Sequence, residues 1–120
     1  MKILMIDDNE DITTAFSKYF IYKGHDCSVS NDGQNGLSMI ENNSFDVILM
    51  DLAMPDFSGF DIVKSLYDRN LINDKLIIAL TASSATDEDK INLKKNGVHS
   101  MLKKPIDPDE LLDYISKIKK

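Results

Sequence analysis

The chain has 120 residues, of which 42% are hydrophobic and 28% charged, and its formal net charge is −6. This length suits one domain, residues 1–120, and the composition excludes collagen, coiled coil and extended disorder. The acidic balance argues against direct nucleic-acid binding, and no apolar run approaches the ~20 residues of a membrane helix. With one cysteine and an acidic residue as early as Asp7, neither a disulfide nor a signal peptide is expected, so we expect a cytoplasmic protein.

Short strand-like runs alternate with helically spaced segments along the whole chain. The strand-like runs are 3–6, 26–30, 47–50, 76–80 and 98–103, and the helical segments lie near 12–20, 33–43, 63–67, 86–96 and 111–118. The first, third and fourth runs are continuously apolar, as in strands buried on both faces, whereas the second and fifth are typical of edge strands. The 86–96 helix has few apolar residues and is predicted to be mostly exposed. Gly24 and Gly97 are predicted to follow helix ends.

This alternation predicts an α/β fold, a flavodoxin-like (βα)5 doubly wound sandwich around a five-stranded parallel sheet. Because the second and fifth strands have the character of edges, the strand order is predicted to be 2-1-3-4-5. In such a sheet, ligands bind beyond the carboxyl ends of the strands, where the order reverses. The residues that follow the strands are therefore the candidates for a functional site.

Charged or hydroxyl side chains follow four of the five strands. Asp7 and Asp8 follow the first strand, Asp51 ends the third, Thr81 ends the fourth and Lys104 follows the fifth. The second strand contributes no residue that we identify. Each of these residues, taken alone, is at least as typical of a turn, a helix cap or a solvated surface as of a functional site. Together they fall at one edge of the predicted sheet, and this coincidence indicates a functional site.

The predicted site carries more negative than positive charge. Two like charges 4 Å apart repel by about 4 kcal/mol at an effective dielectric constant near 20, so such a site raises a carboxyl pKa or binds a cation. Oxygen ligands with no histidine or cysteine nearby in sequence favour Mg²⁺ over zinc. A carboxylate beside Mg²⁺ and a lysine can act as the nucleophile that accepts a phosphoryl group.

These residues and their neighbours resemble the receiver domain of two-component response regulators over nearly the whole chain. The matching features are Asp7-Asp8, Asp51 with Met54-Pro55 and Gly59, Thr81-Ala82 and Lys104-Pro105. The resemblance implies a phosphorylation-dependent signalling switch rather than a turnover enzyme. It implies a histidine kinase or phosphotransfer protein as the donor and a downstream effector as the target. Phosphorylation-dependent dimers also occur in this family.

The resemblance implies a role for each residue of the predicted site. Asp51 is the implied phosphoacceptor, Thr81 the switch hydroxyl that bonds the phosphoryl group, and Lys104 the cation that pairs with Asp51 or its phosphate. The Lys104-Pro105 bond is implied to be cis. The implied Mg²⁺ ligands are the carboxylates of Asp7, Asp8 and Asp51 and the backbone carbonyl of Ala53.

Some positions depart from the family's usual pattern. Receivers usually carry Tyr or Phe three residues before the site lysine, and Met101 stands there. We therefore expect switching to rely more on Thr81 and the backbone that follows it. Ala53 and Ser83 occupy positions that tune phosphate hydrolysis in the family, and the methyl side chain of Ala53 cannot hydrogen-bond an attacking water.

Two other functions remain open from the sequence. A haloacid-dehalogenase-like phosphatase also uses an aspartate nucleophile with Mg²⁺, but it needs a second aspartate two residues later. Ala53 and Asn9 stand at that distance from Asp51 and Asp7. A receiver-shaped module that is never phosphorylated is the other alternative, and the intact Asp51, Thr81 and Lys104 argue against it. The sequence names neither the kinase nor the target, and the chain could be a stand-alone receiver or part of a longer regulator.

Overall fold

A computed structural model gives the fold of the chain and describes residues 1–82 and 85–119. Within those residues, strand and helix alternate five times along the sequence. The strands β1 to β5 are Lys2–Ile6, Asp26–Ser30, Val47–Asp51, Ile77–Thr81 and Ser100–Lys103. The helices α1 to α5 are Glu10–Tyr22, Gly33–Asn42, Gly59–Asp68, Asp87–Lys95 and Pro108–Ile118. Ser83, at which we expect an influence on phosphate hydrolysis, lies outside the described residues.

The strands form one parallel sheet in the order β2-β1-β3-β4-β5, which confirms the predicted flavodoxin-like fold. β1 pairs with β3 so that Met5 lies opposite Leu49, and β3 pairs with β4 so that Asp51 lies opposite Leu80. All five residues of β3 and of β4 are buried, as their apolar sequences predict. The aligned register brings the carboxyl ends of β1, β3 and β4 to the same edge of the sheet.

Alternate side chains of the sheet pack against helices on its two faces. Phe20 of α1 and Leu111 and Ile115 of α5 cover one face. Helices α2, α3 and α4 cover the other, where the buried helical residues include Ile40, Ile62, Val63, Leu66 and Leu93. Because apolar side chains cover both faces, the polar residues of the chain's candidate site are left at the strand ends.

Helices α1 and α4 end just before the predicted glycines, and the end of α4 explains why the fifth strand differs from its prediction. Gly24 and Gly97 follow α1 and α4 with φ angles of 92° and 111°, which confirms both predicted positions. The fifth strand begins at Ser100, two residues later than predicted. The reason is that the N–H of Val98 donates to the carbonyl of Leu93 and so closes the end of α4.

Helix α4 is mostly exposed, as predicted. Leu93 is its buried residue, whereas Ile91 is 66% exposed. The helix begins with a capping box in which Thr86 and Asp89 each accept a hydrogen bond from the other's backbone N–H. With one apolar anchor, α4 depends on its cap more than the other helices do.

Candidate functional site

The carboxyl edge of the sheet brings three aspartates together. Asp7, Asp8 and Asp51 each offer a carboxylate oxygen, and these oxygens all lie within 4.8 Å of one another. Asp7 and Asp51 are 1% and 6% exposed, whereas Asp8 is open to solvent. Two of the three negative charges are therefore held where water screens them poorly.

Lys104 supplies the positive charge of this cluster. Its Nζ lies 2.7 Å from Oδ2 of Asp7 and 3.5 Å from Oδ2 of Asp51. The backbone N–H of Lys104 donates to the carbonyl of Thr81, and the Lys104-Pro105 bond is cis, as the resemblance implies. The closer partner of the ammonium is thus Asp7, which neither the residue pattern nor the resemblance predicts.

The protonation equilibria reflect this arrangement. Burial raises the pKa of the Asp51 carboxyl above its ordinary value of 3.8, and the charges of Asp7 and Asp8 act in the same direction. The Lys104 charge and the N–H of Ala53 favour the ionised form and offset part of the rise. For Lys104, burial favours the neutral amine, but the hydrogen bond to Asp7 and the charge of Asp51 outweigh it, so its pKa is raised above 10.5.

The loop that follows β3 contacts both the side chain and the backbone of Asp51. Leu52 and Met54 are buried and anchor the loop, and the backbone N–H of Ala53 lies 3.3 Å from Oδ1 of Asp51. Gly59 begins α3 directly against this loop, and a Cβ there would lie 2.7 Å from the Asp51 carbonyl oxygen. Glycine is therefore required at this position for the helix to approach the strand end so closely.

The loop after β1 holds Asp7 by both backbone and side chain. The Asp7 N–H donates to the carbonyl of Ser30, and Oδ1 of Asp7 accepts a hydrogen bond of 2.9 Å from the N–H of Asn9. Asn9 in turn caps α1, because its side chain accepts from the N–H groups of Asp11 and Ile12. One carboxylate oxygen of Asp7 is thus held by the loop and the other by a lysine.

The second strand, at whose end the sequence indicates no site residue, is followed by a residue that contacts the loop after β1. Asn31 directly follows β2, and its Nδ2 lies 2.9 Å from the Asp7 carbonyl oxygen and 2.9 Å from Oγ1 of Thr13. Its side chain is a neutral amide, so it does not share the charged or hydroxyl character by which the other strand ends are identified. Its position at a strand end, on the same edge as Asp7, is the signal that could have identified it.

Thr81 ends β4 and is 6% exposed. Together with Met101, it lines a groove of about 460 Å³ that also includes Lys90, Lys94 and Tyr114. Met101 is half-buried and packs against the core on the α2–α4 side of the sheet. The position at which receivers usually carry Tyr or Phe is thus occupied by Met101, an apolar side chain that lines the same groove as Thr81.

The donor set of the cluster fits a hard divalent cation. Its ligand atoms are carboxylate oxygens, which Mg²⁺ prefers, and their negative charge exceeds the single positive charge of Lys104. The acidic cluster of Asp7, Asp8 and Asp51 could therefore hold Mg²⁺.

The sequence of this chain is similar to those of known proteins along nearly its whole length. The family model described as the response regulator receiver domain matches residues 3–116. The chain belongs to this receiver domain family. Response regulator SaeR of Staphylococcus aureus is 32% identical over 116 residues, which make up 97% of this chain and 49% of SaeR. The chain therefore spans about half the length of the curated relatives it matches.

Solved structures of receivers superpose closely on the chain. The receiver domain of the Francisella response regulator 1452 has a TM-score of 0.85 at 32% identity, with 98% of this chain and 95% of that one covered. The chemotaxis protein CheY4 of Vibrio cholerae also has a TM-score of 0.85, at 28% identity, with 98% and 97% covered. The chain is thus a receiver domain of the two-component type, a signalling class of domain. In its described part, no helix combines the length and the apolar character that crossing a membrane requires.

Proposed function

We propose that this receiver is a phosphorylation-dependent switch in which Asp51 accepts the phosphoryl group. The observation that carries the proposal is the setting of the Asp51 carboxylate. It is 6% exposed at the end of a central strand, with Lys104 3.5 Å away and two further aspartates within the same small cluster. A carboxylate so placed is reachable by a phosphoryl donor from one edge of the sheet.

The proposed donor is a phosphohistidine on a histidine kinase or a phosphotransfer protein. In the transfer, an oxygen of the ionised Asp51 carboxylate forms a bond to phosphorus while the bond from phosphorus to the imidazole nitrogen breaks. The imidazole keeps the electron pair and takes up a proton from solvent. The positive charge of Lys104 favours the ionised carboxylate and then faces the added negative charge of the phosphoryl oxygens.

The residues proposed to hold the metal are the carboxylates of Asp7, Asp8 and Asp51 and the backbone carbonyl of Ala53. When bound, Mg²⁺ neutralises negative charge on the transferring phosphoryl oxygens. Asp7 directly follows β1 and Asp51 ends the adjacent strand β3, so the sheet register itself fixes two of the proposed ligands relative to each other. Asp8 is on the exposed side of the cluster, where its carboxylate would be accessible to a hydrated ion.

The proposed switch uses Lys104 and Thr81. Lys104 exchanges its contact with Asp7 for the phosphoryl oxygens, and the Thr81 hydroxyl donates a hydrogen bond to them. Thr81 lines the groove on α4, β5 and α5, and Lys104 directly follows β5, so their movement changes this surface between two states. The partner of that surface is a downstream effector or a second phosphorylated copy. Because Met101 is flexible and has no hydroxyl, the proposed switch relies more on Thr81 and the backbone that follows it.

The proposed domain organisation is a single receiver domain over residues 1–120 that takes part in its own phosphorylation and does not turn over a substrate. We place it in the cytoplasm because receivers act on partners there and because the sequence has one cysteine. Direct binding to nucleic acid by this domain is not part of the proposal, since its net charge is −6.

The test is intact-mass spectrometry after incubation with acetyl phosphate, in Mg²⁺ and in a chelator. We expect a gain of one phosphoryl group that requires Mg²⁺, is lost in Asp51→Asn and is retained in Asp56→Asn. Asp56 is the matched control because it is an exposed aspartate of the same loop and, with a φ of 66°, tolerates asparagine. No adduct in Mg²⁺, or equal adducts in wild type and Asp51→Asn, would contradict the proposal. Sustained phosphate release from monoesters would instead favour a phosphatase.

A further inference from the structure

The residue after β2 links the acidic cluster to helix α1. The side-chain amide of Asn31 lies 2.9 Å from the carbonyl oxygen of Asp7 and 2.9 Å from Oγ1 of Thr13. The carbonyl of Asp7 only accepts hydrogen bonds, so the NH₂ group of Asn31 must face it. Both hydrogens of that group thus serve one purpose, which is to join the β1–α1 loop to the first turn of α1.

The Asp7 carbonyl belongs to the peptide bond that connects Asp7 to Asp8. Fixing the orientation of this peptide fixes the direction in which the chain leaves Asp7 and therefore where the exposed carboxylate of Asp8 is presented. The other partner of the Asn31 amide, the Thr13 hydroxyl, is itself held in place, because Thr13 is 2% exposed and its hydroxyl donates to the carbonyl of Glu10. Asn31 therefore acts on the cluster without being one of its carboxylates.

The chemistry of the side chain suits this position. An amide donates two hydrogen bonds and adds no charge to a cluster that already has three carboxylates. An aspartate there could not donate to the Asp7 carbonyl and would add a fourth negative charge. The backbone N–H of Asp7 also donates to the carbonyl of Ser30, so the end of β2 and the residue that follows it hold both the N–H and the carbonyl of Asp7.

We propose that Asn31 is a positioning residue of the acidic cluster, which sets the orientation of the Asp7–Asp8 peptide and through it the affinity for Mg²⁺. The inference rests on the proposed function, because it takes the cluster to be the Mg²⁺ site. Residues that hold metal ligands in place typically change metal affinity by about 10- to 100-fold when they are removed. We expect the lower end of that range, since one peptide rather than a ligand side chain is released.

The experiment measures the dissociation constant for Mg²⁺ by calorimetry, together with the melting temperature in chelator and in excess Mg²⁺. The variant is Asn31→Ala, and the matched control is Asn35→Ala. Asn35 lies four residues after Asn31, in the first turn of α2, and its amide contacts Ser30 and Met39 rather than the β1–α1 loop. We expect Mg²⁺ binding to weaken about tenfold in Asn31→Ala and to stay within twofold of wild type in Asn35→Ala.

A purely structural role would lower the melting temperature of Asn31→Ala in chelator and leave its Mg²⁺ affinity within twofold of wild type, which would overturn the inference. If Asn31→Ala does not fold, Asn31→Asp replaces it. Its added charge alone would tighten Mg²⁺ binding, so weaker binding supports positioning and equal or tighter binding overturns it. Absence of Mg²⁺ binding by the wild type would be a failure of the proposed function, and the two failures are thus distinguishable.

Discussion

At the residue scale, the cluster concentrates negative charge where the protein can least screen it. The carboxylates of Asp7 and Asp51 are nearly buried, and Lys104 is the cation that faces both. Buried like charges destabilise a fold unless a counter-charge or a bound cation offsets them. The cluster thus costs stability in the absence of a cation, and the same property suits it to hold a divalent cation such as Mg²⁺.

The first prediction concerns Asp51 and pH. Because the folded pKa of Asp51 is raised above 3.8, the unfolded chain loses this proton first as pH rises, and the free energy of unfolding falls across that window. Asp51→Asn removes the charge, so in chelator we expect the variant to be more stable than wild type at pH 7. The difference should grow as pH rises from about 3.8 through the raised pKa and then stay constant. Urea unfolding of both proteins between pH 4 and pH 7 measures it, and a wild type at least as stable as the variant at pH 7 would contradict the prediction.

The second prediction concerns Lys104. Lys104→Met removes the partner of a carboxylate, Asp7, that is 1% exposed, so we expect a loss of about 2–3 kcal/mol in the free energy of unfolding in chelator. Mg²⁺ should restore part of it, as should the second change Asp7→Asn. Lys103→Met is the control, because Lys103 is the exposed residue beside it. Chemical denaturation of the single and double variants tests this, and a loss below about 0.5 kcal/mol would show that the pair is not a stabilising contact.

The third prediction concerns Cys27, which is half-buried in the edge strand β2. Burial raises the pKa of its thiol to about 11, so at pH 8 the thiolate is scarcer than in a free cysteine by about a hundredfold. We expect alkylation by iodoacetamide to be slower in the native protein than in urea by at least that factor, as followed by mass spectrometry. Native and unfolded rates within tenfold of each other would be inconsistent with the buried thiol.

At the element scale, the helices differ in how firmly they are attached. Helix α3 buries Ile62, Val63 and Leu66, whereas α4 buries Leu93 alone. Both begin with a capping box, so the cap is a small part of the anchoring of α3 and a large part of that of α4. The helix beside the groove that contains Thr81 therefore loses fewer buried apolar contacts than α3 when it opens, which suits the proposed switch.

The fourth prediction follows from this difference. Thr86→Ala removes a cap worth about 1 kcal/mol, so hydrogen exchange of the α4 amides should speed up about fivefold while the global free energy of unfolding changes less. Ser58→Ala removes the matching cap of α3, and there the loss should appear in global unfolding. Exchange mass spectrometry with urea unfolding of both variants separates the cases. Unchanged α4 exchange in Thr86→Ala would mean that tertiary contacts, not the cap, hold the helix.

The elements themselves could be predicted because each depends on a local pattern. Continuous apolar runs identified the central strands, and the mixed runs identified the edges, since burial on two faces and on one leaves different sequences. The predicted start of β5 is too early because an apolar residue such as Val98 suits a strand and the end of a helix equally well. Its position was decided by the hydrogen bond from its N–H to Leu93 at the end of α4, which periodicity does not encode.

At the scale of the whole molecule, the strand order creates the site. Asp7 and Asp51 are far apart in sequence, and their carboxylates meet because β1 and β3 are adjacent, parallel and in register. Thr81 ends the next strand, β4, at the same edge of the sheet. This convergence could be predicted from charged and hydroxyl residues at strand ends. The contacts of Lys104 and of Asn31 with Asp7 could not be predicted, because they depend on which side chains reach across the edge of the sheet.

The central claim is that Asp51, and not Asp7 or Asp8, receives the phosphoryl group, and borohydride trapping tests it most directly. Borohydride reduces an aspartyl phosphate to homoserine, so peptide mass spectrometry after treatment with acetyl phosphate and Mg²⁺ identifies the modified position. We predict homoserine at position 51 alone in the wild type, and none in chelator. Homoserine at position 7 or 8, or at no position in a protein that carries the phosphoryl group, would contradict the claim.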